Sequence, residues 1–233
     1  MPDLAAEKAM AAEHAVAEIQ DGMIVGLGTG STTAFAIRAL GVRVAAGLQI
    51  VATATSIATE RLARSLAIPL RPFDELSKAD LTIDGADEIT PALQAIKGGG
   101  GALLREKIVA AASTRTIIIA DSSKLVSTLG LGFRLPLEVL PFATAFVERS
   151  LTELGFAVTQ RRQADGTPAM TDQQNYPFDV TVGAIPDPAA LAARLAAIPG
   201  VLEHGLFLSE IDELFIARGG QVEVILRGPN HPQ

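Results

Sequence analysis

Residues 84–107 read DGADEITPALQAIKGGGGALLREK, and the fold turns on how this stretch is read. Just before it, ADLTID (79–84) is a short apolar run closed by an acid, which reads as a buried strand with Asp84 at its C-terminal end. Just after the glycines Gly98, Gly99, Gly100 and Gly101, ALLREKIVAA places Leu103, Leu104, Ile108 and Ala111 at helical spacing, so Glu106 falls in the first turns of a helix. Asp84, Asp87, Glu88 and Glu106 are thereby gathered near one strand end, together with Lys97. A four-glycine run lets backbone N–H groups approach a ligand closely, because no Cβ intervenes. Open α/β sheets place their ligands at such strand ends. The chemistry is expected here.

Working outward, the same alternation repeats. Residues 3–20 have apolar positions at helical spacing, with Asp3 as the expected cap. MIVGLG (23–28) reads as a strand, AFAIRAL as a helix, QIVATAT as a strand and SIATERLARSL as a helix. IPLRP and LQAIK read as short strands, and TIIIAD (116–121) as another all-apolar one ending in an acid. Continuously apolar strands alternating with helices mean a parallel sheet covered on both faces. Strand ends at 28, 54, 84, 97 and 120 then bring their polar residues to one sheet edge. After about residue 130 the texture changes. FRLPLEVLPF, FAVTQR, PAMTD and FDVTVG read as short strands, and ATAFVERSLTELG and DPAALAARLAAIPG as helices, which suits a compact α+β insert. GLFL, ELFIARGG and QVEVILR return to apolar strands that fit either region.

Bulk properties exclude several classes. The 233 residues suffice for one large or two smaller domains, and 48% hydrophobic with 19% charged composition reads as globular. A net charge of −7 and few aromatics argue against a nucleic-acid binder. Without cysteine there is no disulfide, thiolate ligand or thiol nucleophile. No apolar run approaches membrane-spanning length, and the N-terminus has acids where a signal peptide needs an apolar core, so a cytoplasmic protein is expected.

GLGTGSTT (26–33) invites a nucleotide-loop reading and fails it. No lysine follows Gly30, position 31 is Ser rather than Gly, and the second strand ends in ATATS without a carboxylate for a ribose. What remains is a glycine turn with hydroxyls at a helix N-terminus, which suits a phosphate monoester or is simply a capped turn. DGADE could be an acidic surface turn or a hard-cation site. Calcium-loop spacing is absent, however, and His14, His204 and His231 lie far apart, so no metal is expected. Asp84 and Asp87, three apart, would raise one another's pKa if both face inward, with Lys97 offsetting the repulsion and steadying an oxyanion. Taken singly, Lys97 and Lys124 read as surface lysines and Glu106 as a helix-dipole partner.

The blocks GLGTGSTT, TSIATERL, DGADEI, IKGGGGALLREKIVA and ADSSK, in this order and spacing, resemble ribose-5-phosphate isomerases of the A type. DGADE followed by KGGGGALLREK is the most specific part, and LPLEVLPFA, IPGVLEHGLF and the closing strands extend the likeness over nearly the whole chain. The resemblance implies an α/β fold: a Rossmann-like parallel-sheet domain from 1–129 plus 205–233, with a smaller ferredoxin-like α+β domain inserted at 130–204. It implies interconversion of D-ribose 5-phosphate and D-ribulose 5-phosphate through an enediolate, with no cofactor, no metal and no nucleic-acid or membrane partner. The family is usually homodimeric or of higher order. It also implies residue roles: Glu106 as the base, Lys97 with the N–H groups of Gly98, Gly99 and Gly100 at the enediolate oxygens, and Asp84 at the sugar hydroxyls beside them. Asp87 would assist ring opening, and Gly85 and Ala86, just before it, would contact the substrate. Thr29, Gly30, Ser31, Thr32 and Lys124 would hold the phosphate end, with Lys8 a further candidate. Two competing classes remain: a sugar-phosphate sensor without catalysis, and a deaminase or coenzyme A transferase on the same scaffold. The sensor lacks a DNA-reading segment, and the deaminase lacks a histidine near the acids.

Overall fold

The computed structural model describes residues 2–228, so His231 and the last residues of the C-terminal segment lie outside the described residues. Helix α1 (Leu4–Ala17) starts where the Asp3 carboxylate accepts the N–H groups of Ala5 and Ala6. Strand β1 (Ile24–Leu27) turns into α2 (Ser31–Ala45), and β2 (Val51–Ala54) into α3 (Ile57–Ser65), whose cap is Ser56. Next come β3 (Leu81–Gly85), β4 (Glu88–Ile89), β5 (Ala95–Ile96), α4 (Leu103–Ala111) and β6 (Thr116–Asp121). The second half contributes β7 (Leu135–Val139), α5 (Thr144–Glu153), β8 (Ala157–Gln160), β9 (Tyr176–Thr181) and α6 (Pro188–Ala196). It closes with β10 (Val201–His204), β11 (Leu206–Phe207), β12 (Glu213–Arg218) and β13 (Gln221–Leu226).

The main sheet has the order β13-β12-β6-β3-β1-β2 and is parallel except for the edge strand β13. Side chains alternate across a strand, and here both sides are dry. Ile117, Ile119, Phe215 and Ala217 enter the core under α1 and α2, while Ile118, Ala120, Leu214 and Ile216 enter a second core on the opposite face. That double burial is why these strands read as unbroken apolar runs. A four-stranded antiparallel sheet, β10-β7-β9-β8, has its own core with α5 and α6.

A three-stranded ribbon, β11-β5-β4, joins the two regions. Ala95 and Phe207 point into the main-sheet core and their neighbours Ile96 and Leu206 into the antiparallel-sheet core. Three expectations about strands change here. LQAIK yields only Ala95–Ile96, and it pairs antiparallel within the ribbon, so Lys97 does not come from the edge of the main sheet. IPLRP yields a single bridge between Leu70 and Ala52, since Pro69 and Pro72 on either side have no N–H to extend it. PAMTD is likewise not a strand. Beyond one bridge (Arg162 to Pro168), Thr171 and Asn175 donate side-chain hydrogen bonds to the buried Glu138 carboxylate, at 2.8 Å each, in place of a ladder. The tail divides between two sheets, GLFL supplying β11 of the ribbon and ELFIARGG and QVEVILR the main-sheet strands β12 and β13. No described helix is long and apolar enough to cross a membrane.

Candidate active site

Asp84 lies one residue before the end of β3, and both its carboxylate oxygens have partners. Oδ1 accepts the N–H groups of Thr29 at 3.1 Å and Gly85 at 2.7 Å, and Oδ2 lies 2.9 Å from Lys97 Nζ. A Cβ at position 28 would stand 2.0 Å from Asp84 Oδ1, so the glycine turn exists to let the backbone pass this carboxylate.

Lys97 is buried to 3% exposure rather than solvated. Its backbone N–H donates to Gly205 O at 2.8 Å, which ties it to the β10–β11 crossover. Its ammonium bonds Gly85 O, reaches Glu106 Oε2 at 3.5 Å and lies 5.3 Å from the centre of the Phe207 ring. Burial alone would lower the Lys97 pKa, but the charges of Asp84 and Glu106 outweigh it and hold the ammonium above its usual range. This ammonium occupies the place between Asp84 and Glu106 that a bound cation would take.

Glu106, in the first turn of α4, is 3% exposed, and its Oε2 has no hydrogen-bond partner among the described residues. Burial first, and then the Asp84 charge, push its carboxyl up to about 8 against the pull of Lys97. The expected mutual repulsion of Asp84 and Asp87 is therefore relocated. Asp84 acts on Glu106, while Asp87 is raised chiefly by burial and drawn back by a hydrogen bond from Gly99 and by Lys97, Lys124 and Arg161.

The Gly99 N–H donates to Asp87 Oδ2 at 2.8 Å. Gly98 adopts φ 104°, and a Cβ there would meet the Leu103 side chain at 2.8 Å, so the turn from ribbon to helix requires glycine. Glu88, although part of the acidic motif, faces elsewhere and accepts the N–H groups of Gly130 and Gly132 at 2.6 and 2.7 Å.

At the other end of the cleft, Gly30 caps α2 without a side-chain hydrogen bond, leaving a helix N-terminus whose N–H groups favour an anion. Ser31 Oγ accepts from Lys8 Nζ at 3.0 Å. The Thr29 hydroxyl is taken up by Thr55, Ser56 and Thr59 at 2.9, 2.8 and 3.2 Å. Lys124 ends the helical turn Ser122–Lys124.

One cleft collects Thr29, Gly30, Ser31, Thr32, Gly85, Ala86, Asp87, Lys97, Gly98, Gly99, Gly100, Glu106 and Lys124. Asp84 is absent from its wall, standing behind Lys97 with both oxygens occupied. Lys8 reaches the cleft only through Ser31. Among the described residues no three histidine or carboxylate side chains converge to hold a metal; His14 packs edge-on to Phe215 and His204 lies against Lys107. Sequence reading missed Phe207, Gly205 and Arg161, which meet the site only through contacts distant in sequence. Nothing local marks them.

Comparison with known proteins identifies the family. The family model for ribose 5-phosphate isomerase A (phosphoriboisomerase A) matches residues 51–221. Ribose-5-phosphate isomerase A of Sphingopyxis alaskensis is 61% identical over 98% of this chain and 99% of its own, and that of Listeria innocua is 48% identical over 94% and 98%. Ribose 5-phosphate isomerase A of Methanocaldococcus jannaschii superposes with a TM-score of 0.90 at 38% identity, covering 95% of this chain and 98% of its own. A D-ribose-5-phosphate isomerase in complex with phospho-erythronic acid superposes with a TM-score of 0.93 at 34% identity, covering 97% and 100%. With the family model spanning most of its length and such relatives matching end to end, this chain belongs to the ribose 5-phosphate isomerase A family.

Proposed function

We propose that this chain is an aldose–ketose isomerase that interconverts D-ribose 5-phosphate and D-ribulose 5-phosphate in the non-oxidative branch of the pentose phosphate pathway. The observation that carries the reading is Glu106. It is a buried carboxyl lifted to about 8, 3.5 Å from a buried ammonium, in a cleft that ends at an uncapped helix N-terminus. A base with a pKa near the working pH is suited to taking a carbon-bound proton and returning it.

In this mechanism Asp87, held by the Gly99 N–H, assists opening of the furanose ring. Glu106 removes the proton from C2, and the electron pair flows to the C1 carbonyl oxygen to give the enediolate. Lys97 and the glycine-loop N–H groups stabilise that oxyanion. Glu106 returns the proton to C1 while the C2 hydroxyl proton passes to the C1 oxygen. Because the step is a proton transfer between neighbouring carbons, no electron carrier enters it. Asp84 works from behind, keeping Lys97 charged and aimed, since its oxygens already hold the Thr29 and Gly85 N–H groups and the Lys97 ammonium and it lies off the cleft wall. Ser31, Thr32 and the N-terminus of α2, with Lys124 and Lys8, receive the phosphate.

The same reading assigns 1–129 with 205–233 to the catalytic domain and 130–204 to an inserted domain, and places the protein in the cytoplasm as a homodimer or larger homo-oligomer. Phe142, 97% exposed, with the partly exposed Leu140, Phe146 and Leu202, supports self-association through the inserted region. The test is a coupled assay of ribose 5-phosphate conversion with EDTA and no added cofactor. Turnover is expected. Binding of ribose 5-phosphate without turnover would replace the isomerase by a sensor.

A further inference from the structure

Arg161 follows β8 on the antiparallel sheet, yet its guanidinium reaches the glycine loop of the cleft. Nε and Nη2 fork onto the two carboxylate oxygens of Asp179 at 2.9 and 2.6 Å, which fixes the plane of the group. Nη1 is thereby aimed at two carbonyls, Gly98 O at 3.2 Å and Gly99 O at 3.0 Å. A carbonyl and the N–H of the next residue belong to one planar trans peptide and point in opposite directions. Holding Gly98 O therefore aims the Gly99 N–H, and holding Gly99 O aims the Gly100 N–H. The first of these donates to Asp87 at 2.8 Å. The second has no protein partner among the described residues, and Gly100 lines the cleft. Successive glycines have the loosest backbone of any sequence, so this aim needs an external hold.

We propose that Arg161 is a positioning residue for the isomerisation, turning two peptides of the glycine loop so that one N–H holds Asp87 and the other faces the reacting oxygens. The proposal rests on the isomerase reading. Arg161 touches no reacting atom itself. Its charge has a second effect, helping to draw the Asp87 carboxyl down against burial. A lysine would keep the charge but could not fork onto Asp179 and span both carbonyls.

The experiment compares Arg161→Met, Arg161→Lys and Asp179→Asn with the wild-type protein in ribose 5-phosphate kinetics across pH and in amide ¹H–¹⁵N spectra. Arg161→Met is expected to lower kcat by about 10- to 100-fold with KM little changed, as a misaimed donor does. The steeper fall in rate at pH below the Glu106 limb, where Asp87 also takes up a proton, moves to higher pH, and the Gly99 and Gly100 amide signals shift. Arg161→Lys restores the lower, Asp87-dependent fall but not kcat. A folded Arg161→Met protein with wild-type kcat and pH profile overturns the proposal. Should Arg161→Met not fold, Asp179→Asn carries the test: a smaller loss of kcat with the same amide shifts supports it, and wild-type kcat with unmoved amides ends it. An inactive wild-type protein would end the isomerase reading, whereas unmoved amides in an otherwise active enzyme end only this proposal.

Discussion

Asp84, Lys97 and Glu106 lie at one end of the cleft with exposures of 2, 3 and 3%, while at the other end Ser31 is open to solvent and Lys8 keeps 21% of its side chain exposed. Both ends carry charge for an anionic substrate, but they use it differently. Where water is excluded, charges shift one another's protonation, and a carboxyl can be tuned for proton transfer. Where water is present, the same kinds of group are screened and contribute binding alone. The chemistry belongs to the dry end and the grip to the wet end.

Exchanging charges at each end puts this contrast to the test. The largest effect is expected from Glu106→Gln: kcat falls by about 10²–10⁴-fold while calorimetry still detects ribose 5-phosphate binding. This variant also reports on stability. The Glu106 proton is held more tightly in the folded protein, so its contribution is whole below about 4.5 and is lost as pH rises through about 8. Glu106→Gln should therefore gain thermal stability relative to wild type between pH 6 and 9, and an unchanged difference across that range would contradict the burial account. Lys97→Met comes next, with kcat down about 10²–10³-fold. It also loses stability of about 3–5 kcal/mol in chemical denaturation, because the Asp84 carboxylate is left buried without its cation.

Smaller is the pH response of the wild-type protein, whose kcat/KM should rise roughly tenfold per unit below about 8 and level above it, as the Glu106 base form fills. A profile already flat from pH 6 would mean that substrate-free Glu106 is ionised. Smallest is Lys8→Met, expected to raise KM a few-fold with kcat intact, an effect that shrinks as salt is added. A fall in kcat there would erase the division between the two ends.

Much of the fold is legible in the sequence because parallel strands buried on both faces leave uninterrupted apolar runs, and TIIIAD is the plainest of them. The local motif likewise brings Asp87, Gly98 to Gly100 and Glu106 into one cleft, since short connections keep them together. What escapes the sequence is set by partners far along the chain. Lys97 reads as a surface lysine until Phe207 and Gly205 cover it. PAMTD reads as a strand until Glu138 captures Thr171 and Asn175.

The pairing of β6 with β12 has a consequence for how the molecule is made. These neighbours in the main sheet are joined side by side, with Arg115 gripping Glu213, 98 positions further along the chain. On the ribosome, β6 emerges with one edge already matched to β3 and the other bare. That bare edge waits while the antiparallel sheet is synthesised, at about 5–20 residues per second. Until β12 arrives, an apolar strand with free N–H and C=O groups is open to other nascent chains. The central strand of the finished enzyme is thus the adhesive edge of the unfinished one, and truncation before residue 213 should yield aggregates rather than a smaller soluble domain.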